Sequence, residues 1–315
     1  QISLKGYSPL DNVNYDNMSL PYALYEFTLT NNNSTEANAS VAMLWDLGAD
    51  RHKAAWVKET EEKGFLSDKW AIYAKSEGAE ITSGGGNEFF EKGICETKPS
   101  LGETRTAVKV NIPANESKSI KLVLAWYDDS DPEGAYYLSK YSNAGDIALH
   151  GLECFDTLKN NADGLVQRFR KSNVPAWFVN QCLNSLVNIS NNSIYKTDGR
   201  TAFAEGEWTC FGTMDQMWHT RYIINYLIPD FAWQELEYWA RTQRNDGQIH
   251  HDFNYMTDTS VKYKLVDWDD TEHEDYRNID KWVDLNCGFI ISVYETYRQT
   301  GNEEKLEYFW PYIKK

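Results

Sequence analysis

The first 130 residues alternate between apolar and polar positions with the period of β-strands. Residues 22–31 (YALYEFTLTN) and 39–47 (ASVAMLWDL) are rich in β-branched and aromatic side chains and are bounded by Asn and Gly clusters. Residues 106–112 (TAVKVNI) and 117–127 (SKSIKLVLAWY) alternate in the same way, on either side of a turn-like PANE. Strands at this spacing predict a β-sandwich.

From about Asn160 onward the apolar residues recur at helical intervals, so we place the boundary between strands and helices near residues 130 to 160. Asp230 directly follows Pro229 and is the predicted N-cap of a helix. Tight turns between the helices indicate a bundle or a toroid of helix pairs. The predicted helical stretches are residues 174–190, 213–228, 230–244 and 283–301. A further helical pattern, EEKLEYFWPYIKK, stops without a termination signal, so we expect the sequence to be a piece of a longer protein.

Composition narrows the classes of partner. The formal net charge of −16 argues against nucleic acid, because phosphate binding needs a basic surface. No apolar run reaches the length of a membrane-crossing helix. Aromatic residues make up 14% of the chain. They either fill cores and interfaces, as in most proteins, or provide stacking surfaces for a ligand with apolar faces such as a sugar.

The cysteines and glycosylation sequons give weaker indications. The five cysteines contain no CxxC pair, which argues against a zinc site, although one or two disulfides stay open. Asn-x-Ser/Thr sequons favour an extracytoplasmic or secreted setting, although Asn-rich loops also produce them by chance. The sequons lie at Asn17, Asn32, Asn33, Asn38, Asn115, Asn188 and Asn191. The sequence has no GxSxG nucleophile elbow and no glycine-rich phosphate loop.

Residues 199–215 (GRTAFAEGEWTCFGTMD) combine side chains that normally separate. Glu205, Glu207 and Asp215 lie among aromatic residues, although acids prefer water and aromatics prefer burial. One interpretation is a solvated loop with a helix cap. The other is a pocket for an uncharged, polar ligand with apolar faces, as a sugar has.

Six motifs in a fixed order resemble glycoside hydrolase family 116, the family of non-lysosomal glucosylceramidases and bacterial β-glucosidases. Each motif is weak alone, and the resemblance extends over nearly the whole chain. An earlier stretch, SPLDNVNYDNMSLPYALYEFTLTN, is similar to the middle of that family's N-terminal sandwich. The six are LVLAWY (122–127), VPAWFVNQCLNSL (174–186), GRTAFAEG (199–206), GTMD (212–215), IHHDF (249–253) and the stretch 280–311.

The resemblance implies a multidomain β + α protein in which a β-sandwich precedes an (α/α)6 barrel that holds the active site. Residues 1–130 would be the later part of the sandwich, and 131–165 a connecting segment. Residues 166–315 would be the first helices of the barrel. The start of the sandwich and most of the barrel would then be missing, and the remainder of the barrel would be a partner of this chain.

The resemblance also implies site residues. Glu205 matches the catalytic nucleophile, while Asp215, His251 and Asp252 match groups that bind sugar hydroxyls. The spacing from Glu205 to Asp215 is one residue shorter than expected for the family, which leaves Glu207 as a rival nucleophile. From the residues alone, Asp215 could equally stabilise its helix start, and a His-Asp pair is usually structural.

The implied reaction is hydrolysis of β-glucosides or related β-glycosides with retention, needing no metal or organic cofactor. A retaining glycosidase needs two carboxyl groups about 5 Å apart. The family's general acid is an aspartate downstream of the stretch that this sequence covers. Asp246, Asp269, Asp270 and Asp284 do not match its motif, so we expect the 315 residues alone to be inactive.

Two alternatives stay open at this point. A non-catalytic carbohydrate-binding or scaffold protein could share the fold. The acidic run at 267–276 (DWDDTEHEDY) is typical of a solvated loop, although its oxygens would suit calcium; it lacks EF-hand spacing.

Overall fold

The computed structural model describes residues 1–8, 14–48, 55–56, 63–96, 103–130, 134–203, 212–252 and 283–315. The chain divides into two compact units. The strand unit comprises Gln1–Asp11, Leu20–Asp128 and Lys140–Arg168. The helical unit comprises Asn12–Ser19, Asp129–Ser139 and Phe169–Lys315. Residues of the predicted connecting segment, 131–165, thus contribute to both units.

The strand unit contains two antiparallel sheets. A six-stranded sheet has the order β1-β2-β9-β6-β5-β4, and a three-stranded sheet has the order β3-β8-β7. The strands are β1 Ile2–Tyr7, β2 Tyr22–Thr30, β3 Ala37–Asp46, β4 Ala55–Trp56, β5 Lys63–Leu66, β6 Trp70–Lys75, β7 Glu80–Gly84, β8 Glu103–Ile112 and β9 Ser117–Trp126. The four predicted stretches correspond to β2, β3, β8 and β9, so the prediction of strands there is confirmed.

One hydrophobic core joins the inward faces of the two sheets. Alternate residues of β9, Ile120, Leu122 and Leu124, are buried in it together with Val108 of β8. The Thr106 hydroxyl also donates a hydrogen bond to the Ile72 carbonyl of the other sheet, at 2.9 Å. The apolar positions of the period-2 pattern therefore lie on the faces of the two sheets that pack against each other.

Three helices belong wholly or mainly to the strand unit: α2 Glu88–Lys92, α3 Ala144–Glu153 and α4 Phe155–Arg170. Helix α3 packs against β6 and β9. The Asn143 side chain caps it by accepting a hydrogen bond from the Asp146 amide at 3.0 Å. The longer helices thus begin at Ala144, before the predicted change of period at Asn160. Helix α3 buries one face and exposes Asp146 on the other, but its two glycines weaken the helical signal in the sequence.

The helical unit begins with α1 Tyr15–Met18 and a 3₁₀ turn at Tyr136–Ser139. Its remaining elements are α5 Ala176–Ser185, α6 Val187–Asn192, β10 Ser193–Tyr195, β11 Thr201–Phe203, α7 Met214–Leu227, α8 Pro229–Thr242, α9 Leu285–Thr300 and α10 Glu303–Lys314. Helices α7, α8, α9 and α10 enclose a core that includes Trp233, Trp239, Phe289 and Phe309. The indole of Trp233 stacks on the Phe309 ring at 5.4 Å.

Two details differ from the predicted helices. Ile228 occupies the N-cap position of α8, and Pro229 is its first residue, because the proline ring fixes φ for a helix start. Asp230 is therefore not the N-cap; it lies in the first turn, where a carboxylate interacts favourably with the helix dipole. The predicted stretch 174–190 forms two helices, α5 and α6, that meet at Leu186. A closed (α/α)6 barrel stays a prediction.

Within the described residues, no helix is both long enough and apolar enough to cross a membrane.

Candidate functional site

The hairpin β10–β11 leads to the stretch that sequence analysis singled out. Strand β11 ends at Phe203, and the Gly212 amide donates a hydrogen bond to the Phe203 carbonyl at 2.7 Å. The residues on either side of segment 204–211 are therefore joined. Gly212 has φ +63°, a conformation that glycine adopts without strain. Glu205 and Glu207 both fall in this segment, outside the described residues, so the choice of nucleophile stays a prediction.

Helix α7 begins directly after this junction and carries Asp215 in its first turn. The Met214 amide donates a hydrogen bond to the His251 carbonyl at 2.9 Å. This contact uses one of the amides that a helix start leaves without an intrahelical partner. It fixes the backbone of the segment after α8 against the start of α7.

Asp215, His251 and Asp252 lie together at this point. Nε2 of His251 is 3.1 Å from Oδ1 of Asp215, and Nδ1 is 2.8 Å from Oδ2 of Asp252. The exposed fractions of the Asp215, His251 and Asp252 side chains are 20%, 13% and 2%. The structure thus brings together the three residues predicted to bind a sugar, although proximity alone does not assign that role.

The cluster favours a protonated histidine. Burial lowers the pKa of His251, but the two carboxylates outweigh burial and raise the pKa to about 9. Burial raises the pKa of Asp215. The His251 ring and the backbone N–H groups at the helix start lower it by more, so the pKa of Asp215 is below its ordinary value. At neutral pH the cluster is therefore an imidazolium held between two carboxyl groups.

The two carboxylates contact the imidazolium differently. The Nδ1–H of His251 donates a hydrogen bond to Asp252. The contact with Asp215 is an ion pair, because Oδ1 of Asp215 is buried and accepts no aligned hydrogen bond from any described residue. The exposed part of the Asp215 side chain therefore excludes Oδ1. A carboxylate that is partly exposed and is kept ionised by a neighbouring cation can accept a hydrogen bond from a hydroxyl.

His250 supports the cluster and was not predicted. Its ring is fully buried and stacks on Trp239 at 4.4 Å. Nδ1 lies 2.6 Å from the Asp252 carbonyl and Nε2 lies 2.8 Å from the Thr242 hydroxyl. Because a carbonyl only accepts, Nδ1 carries the proton in this contact. The repeated histidine in IHHDF gave no signal as to which ring is buried.

Asn286 fixes the turn that precedes this segment. Its Nδ2 donates to the Gly247 carbonyl and its Oδ1 accepts from the Ile249 amide, both at 3.0 Å. The side chain of one residue at the start of α9 therefore bridges two backbone groups of the turn.

A cavity of about 780 Å³ lies on another face of α7, a volume within the range of small-molecule sites. Its described lining is uncharged and includes Gln181 of α5, Asn192 of α6, and Phe203 and Gln216. Asp215, His251 and Asp252 are not among the described lining residues. This cavity is therefore separate from the cluster of Asp215, His251 and Asp252.

The described acids and potential metal ligands form no second centre, and Asp269, Asp270 and the acidic run at 267–276 lie outside the described residues. Asp246, which did not match the general-acid motif, pairs with Arg244, and this partner lowers its pKa to about 2. A group that stays ionised cannot donate a proton at neutral pH. Among the described residues, no three His, Cys, Asp or Glu side chains are arranged to hold a metal ion.

No protein-family model matches the chain. No curated protein matches it either. Among solved structures, the chain is similar to a protein described as a kojibiose phosphorylase from the human microbiome, with 10% sequence identity and a TM-score of 0.42. The match covers 96% of this chain and 40% of the phosphorylase, so the chain spans well under half of that protein's length.

Proposed function

We propose that this protein is a retaining exo-β-glycosidase that acts on β-glucosides or related β-glycosides. The observation that carries the proposal is the convergence of Asp215, His251 and Asp252 from separate parts of the chain. It joins the GTMD and IHHDF motifs, two of the six that carry the resemblance to glycoside hydrolase family 116.

In the proposed reaction Glu205 is the nucleophile. Its carboxylate attacks the anomeric carbon while the bond to the leaving oxygen breaks and a carboxylic acid protonates that oxygen. Water then attacks the glycosyl-enzyme, its proton passes to the same carboxyl group, and Glu205 is released. The protonating acid is not assigned to any residue of this sequence, in keeping with the downstream aspartate that the resemblance implies.

Asp215, His251 and Asp252 would hold the sugar during both steps. The outward part of Asp215 would accept a hydrogen bond from a ring hydroxyl, and the His251 imidazolium would keep that carboxylate ionised. Charge-assisted hydrogen bonds are shorter and stronger than neutral ones. Such contacts accelerate the reaction to the extent that they tighten as the sugar ring flattens.

The test uses the protein produced from its complete coding sequence. A 2-fluoro-glycoside should trap the glycosyl-enzyme, and peptide mapping should find the label on Glu205. Glu207→Gln should still take the label, whereas Glu205→Gln should not. Label on Glu207, or on neither glutamate, would overturn the assignment of the nucleophile.

A carbohydrate-binding protein without catalysis is the second candidate, since the three described side chains could hold a sugar without Glu205. Saturable binding of a β-glycoside with neither turnover nor label would favour it over the glycosidase.

A further inference from the structure

Arg221 of α7 and Glu235 of α8 form a buried ion pair. Nη2 of Arg221 lies 3.0 Å from Oε2 of Glu235, and the side chains are 2% and 0% exposed. Burial raises the pKa of Glu235 to about 7, although Arg221 opposes the shift. Removing two charges from water is costly, and apolar side chains of similar size often join two helices as stably. Holding α7 to α8 does not by itself require this ion pair, so its other contacts bear on its role.

The second oxygen of Glu235 contacts the hairpin. Oε1 of Glu235 accepts a hydrogen bond from the Phe203 amide at 3.3 Å. Two further contacts tie β11 to α8: the Thr201 hydroxyl donates to the Phe231 carbonyl at 3.0 Å, and the Phe203 and Phe231 rings meet edge to face at 5.1 Å. Strand β11 thus has a fixed place on the helix.

Arg221 holds the Glu235 carboxylate in the orientation that this contact needs. Nη1 of Arg221 donates to the Ala232 carbonyl at 3.0 Å, and Nη2 lies 2.9 Å from the Met217 sulfur. The guanidinium is planar, so these contacts fix the direction of the bond to Glu235. Rotation of the carboxylate away from Phe203 would break its ion pair.

Both backbone groups of Phe203 are occupied. Its amide donates to Glu235, and its carbonyl accepts from Gly212. From Gly212 the chain enters α7, whose Met214 amide donates to the His251 carbonyl. A continuous path of hydrogen bonds and short stretches of backbone therefore runs from Glu235 to the cluster of Asp215 and His251.

We propose that Arg221 and Glu235 are positioning residues that fix the junction of Phe203 and Gly212, and through it the start of α7 that carries Asp215. Neither residue touches the sugar. The part that concerns sugar binding by Asp215 rests on the proposed glycosidase function. The part that concerns the junction does not.

Two double variants of the full-length protein separate positioning from simple packing. Arg221→Met with Glu235→Gln removes both charges and retains an oxygen for the Phe203 amide. Arg221→Met with Glu235→Leu also removes both charges but offers no acceptor. Neither variant leaves an unpaired buried ion, so their difference reports on the single hydrogen bond to Phe203.

The first readout is amide hydrogen exchange at Phe203 and Gly212. We expect exchange at both amides to be about tenfold or more faster in the leucine variant than in the glutamine variant, because an exposed or broken hydrogen bond loses its protection. Equal exchange in the two variants would show that Glu235 does not hold the Phe203 amide. Should the leucine variant not fold, Arg221→Met with Glu235→Met replaces it.

The second readout is turnover of an aryl β-glucoside. We expect kcat of the leucine variant to be about 10- to 100-fold below that of the glutamine variant, with KM changed by less than about threefold, because misplacement of a group in the active site by about 1 Å can cost that much. Different exchange with equal kcat would overturn the positioning role. If the native protein turns over no glycoside, the proposed function fails. The exchange measurement still decides whether Glu235 fixes the junction of Phe203 and Gly212.

Discussion

Nε2 of His251 lies 3.1 Å from Oδ1 of Asp215, a contact that joins the segment after α8 to the first turn of α7. The opposite ring nitrogen contacts Asp252 at 2.8 Å. A histidine placed between two carboxylates loses its proton at a higher pH than a histidine in water. Loss of that proton would weaken the contacts that hold the two carboxylates in place.

Stability should fall at alkaline pH because of His251. Its pKa in the folded protein, about 9, is above the ordinary value of 6.5. The contribution to the free energy of unfolding is therefore complete below about pH 6.5 and is lost as pH rises through about 9. Denaturant unfolding, followed by tryptophan fluorescence from about pH 6 to about pH 10, should show this decline. His251→Gln should lose this part of the pH dependence.

His219→Gln is the matched control, because His219 is an exposed histidine on α7. It should retain the alkaline decline of the native protein. The same decline in His251→Gln as in the native protein would contradict the assignment.

Asp215→Asn should lower the pKa of His251 and weaken catalysis together. Removing one of two carboxylates leaves Asp252 alone to stabilise the imidazolium, so a histidine NMR titration should move to lower pH. Loss of a charged acceptor for a sugar hydroxyl should reduce kcat/KM by about 10- to 100-fold. Asp246→Asn removes a surface carboxylate that pairs with Arg244 and accepts a hydrogen bond from the Gln248 amide, and it should leave both measurements unchanged. An unchanged kcat/KM in Asp215→Asn would remove Asp215 from the sugar site.

The helices and strands that the sequence predicted are those with a clear apolar period. Prediction failed where the local sequence signal is weak and contacts with the rest of the fold determine the structure. Helix α7 was predicted to within one residue at each end, because its apolar residues recur at helical intervals and Pro229 follows it. Helix α3 was missed because two of its ten residues are glycines, which have a low helix propensity. It nevertheless buries one face against the sheet and exposes Asp146 and Glu153 on the other.

The contacts of the candidate site likewise include some that were expected and others that the sequence did not predict. The proximity of Asp215 to His251 was expected only because a resemblance supplied it, since no spacing rule relates the two positions. The contacts of His250 with Thr242, of Asn286 with Gly247 and of Glu235 with Phe203 join residues that no short motif connects. Such contacts depend on how α7, α8 and α9 pack, which one sequence does not reveal.

Gly288→Ala should destabilise the helical unit. An added Cβ would lie 3.2 Å from Cδ1 of Trp218 and 3.5 Å from the Met214 side chain, so α9 and α7 would have to separate slightly. We expect a loss of about 1–2 kcal/mol from overpacking, reduced by the better helix propensity of alanine. Gly164→Ala, in the strand unit, meets no atom within 4 Å and should instead stabilise its helix by up to about 1 kcal/mol. Equal effects of the two substitutions in urea unfolding would show that α7 and α9 do not pack this closely.

Asn286→Ala should loosen the turn before the candidate site. The substitution removes a donor to the Gly247 carbonyl and an acceptor for the Ile249 amide, so we expect a loss of about 1–3 kcal/mol in unfolding free energy. Exchange of the Ile249 amide should become faster, because Asn286 is its hydrogen-bond acceptor. Asn286→Asp keeps an acceptor but no donor, and it should protect Ile249 while losing the contact with Gly247. Since Ile249 immediately precedes His250 and His251, KM for a β-glycoside should rise more in the alanine variant than in the aspartate variant. Equal protection of Ile249 in both variants would show that the turn is held by its own backbone and that Asn286 does not support the cluster.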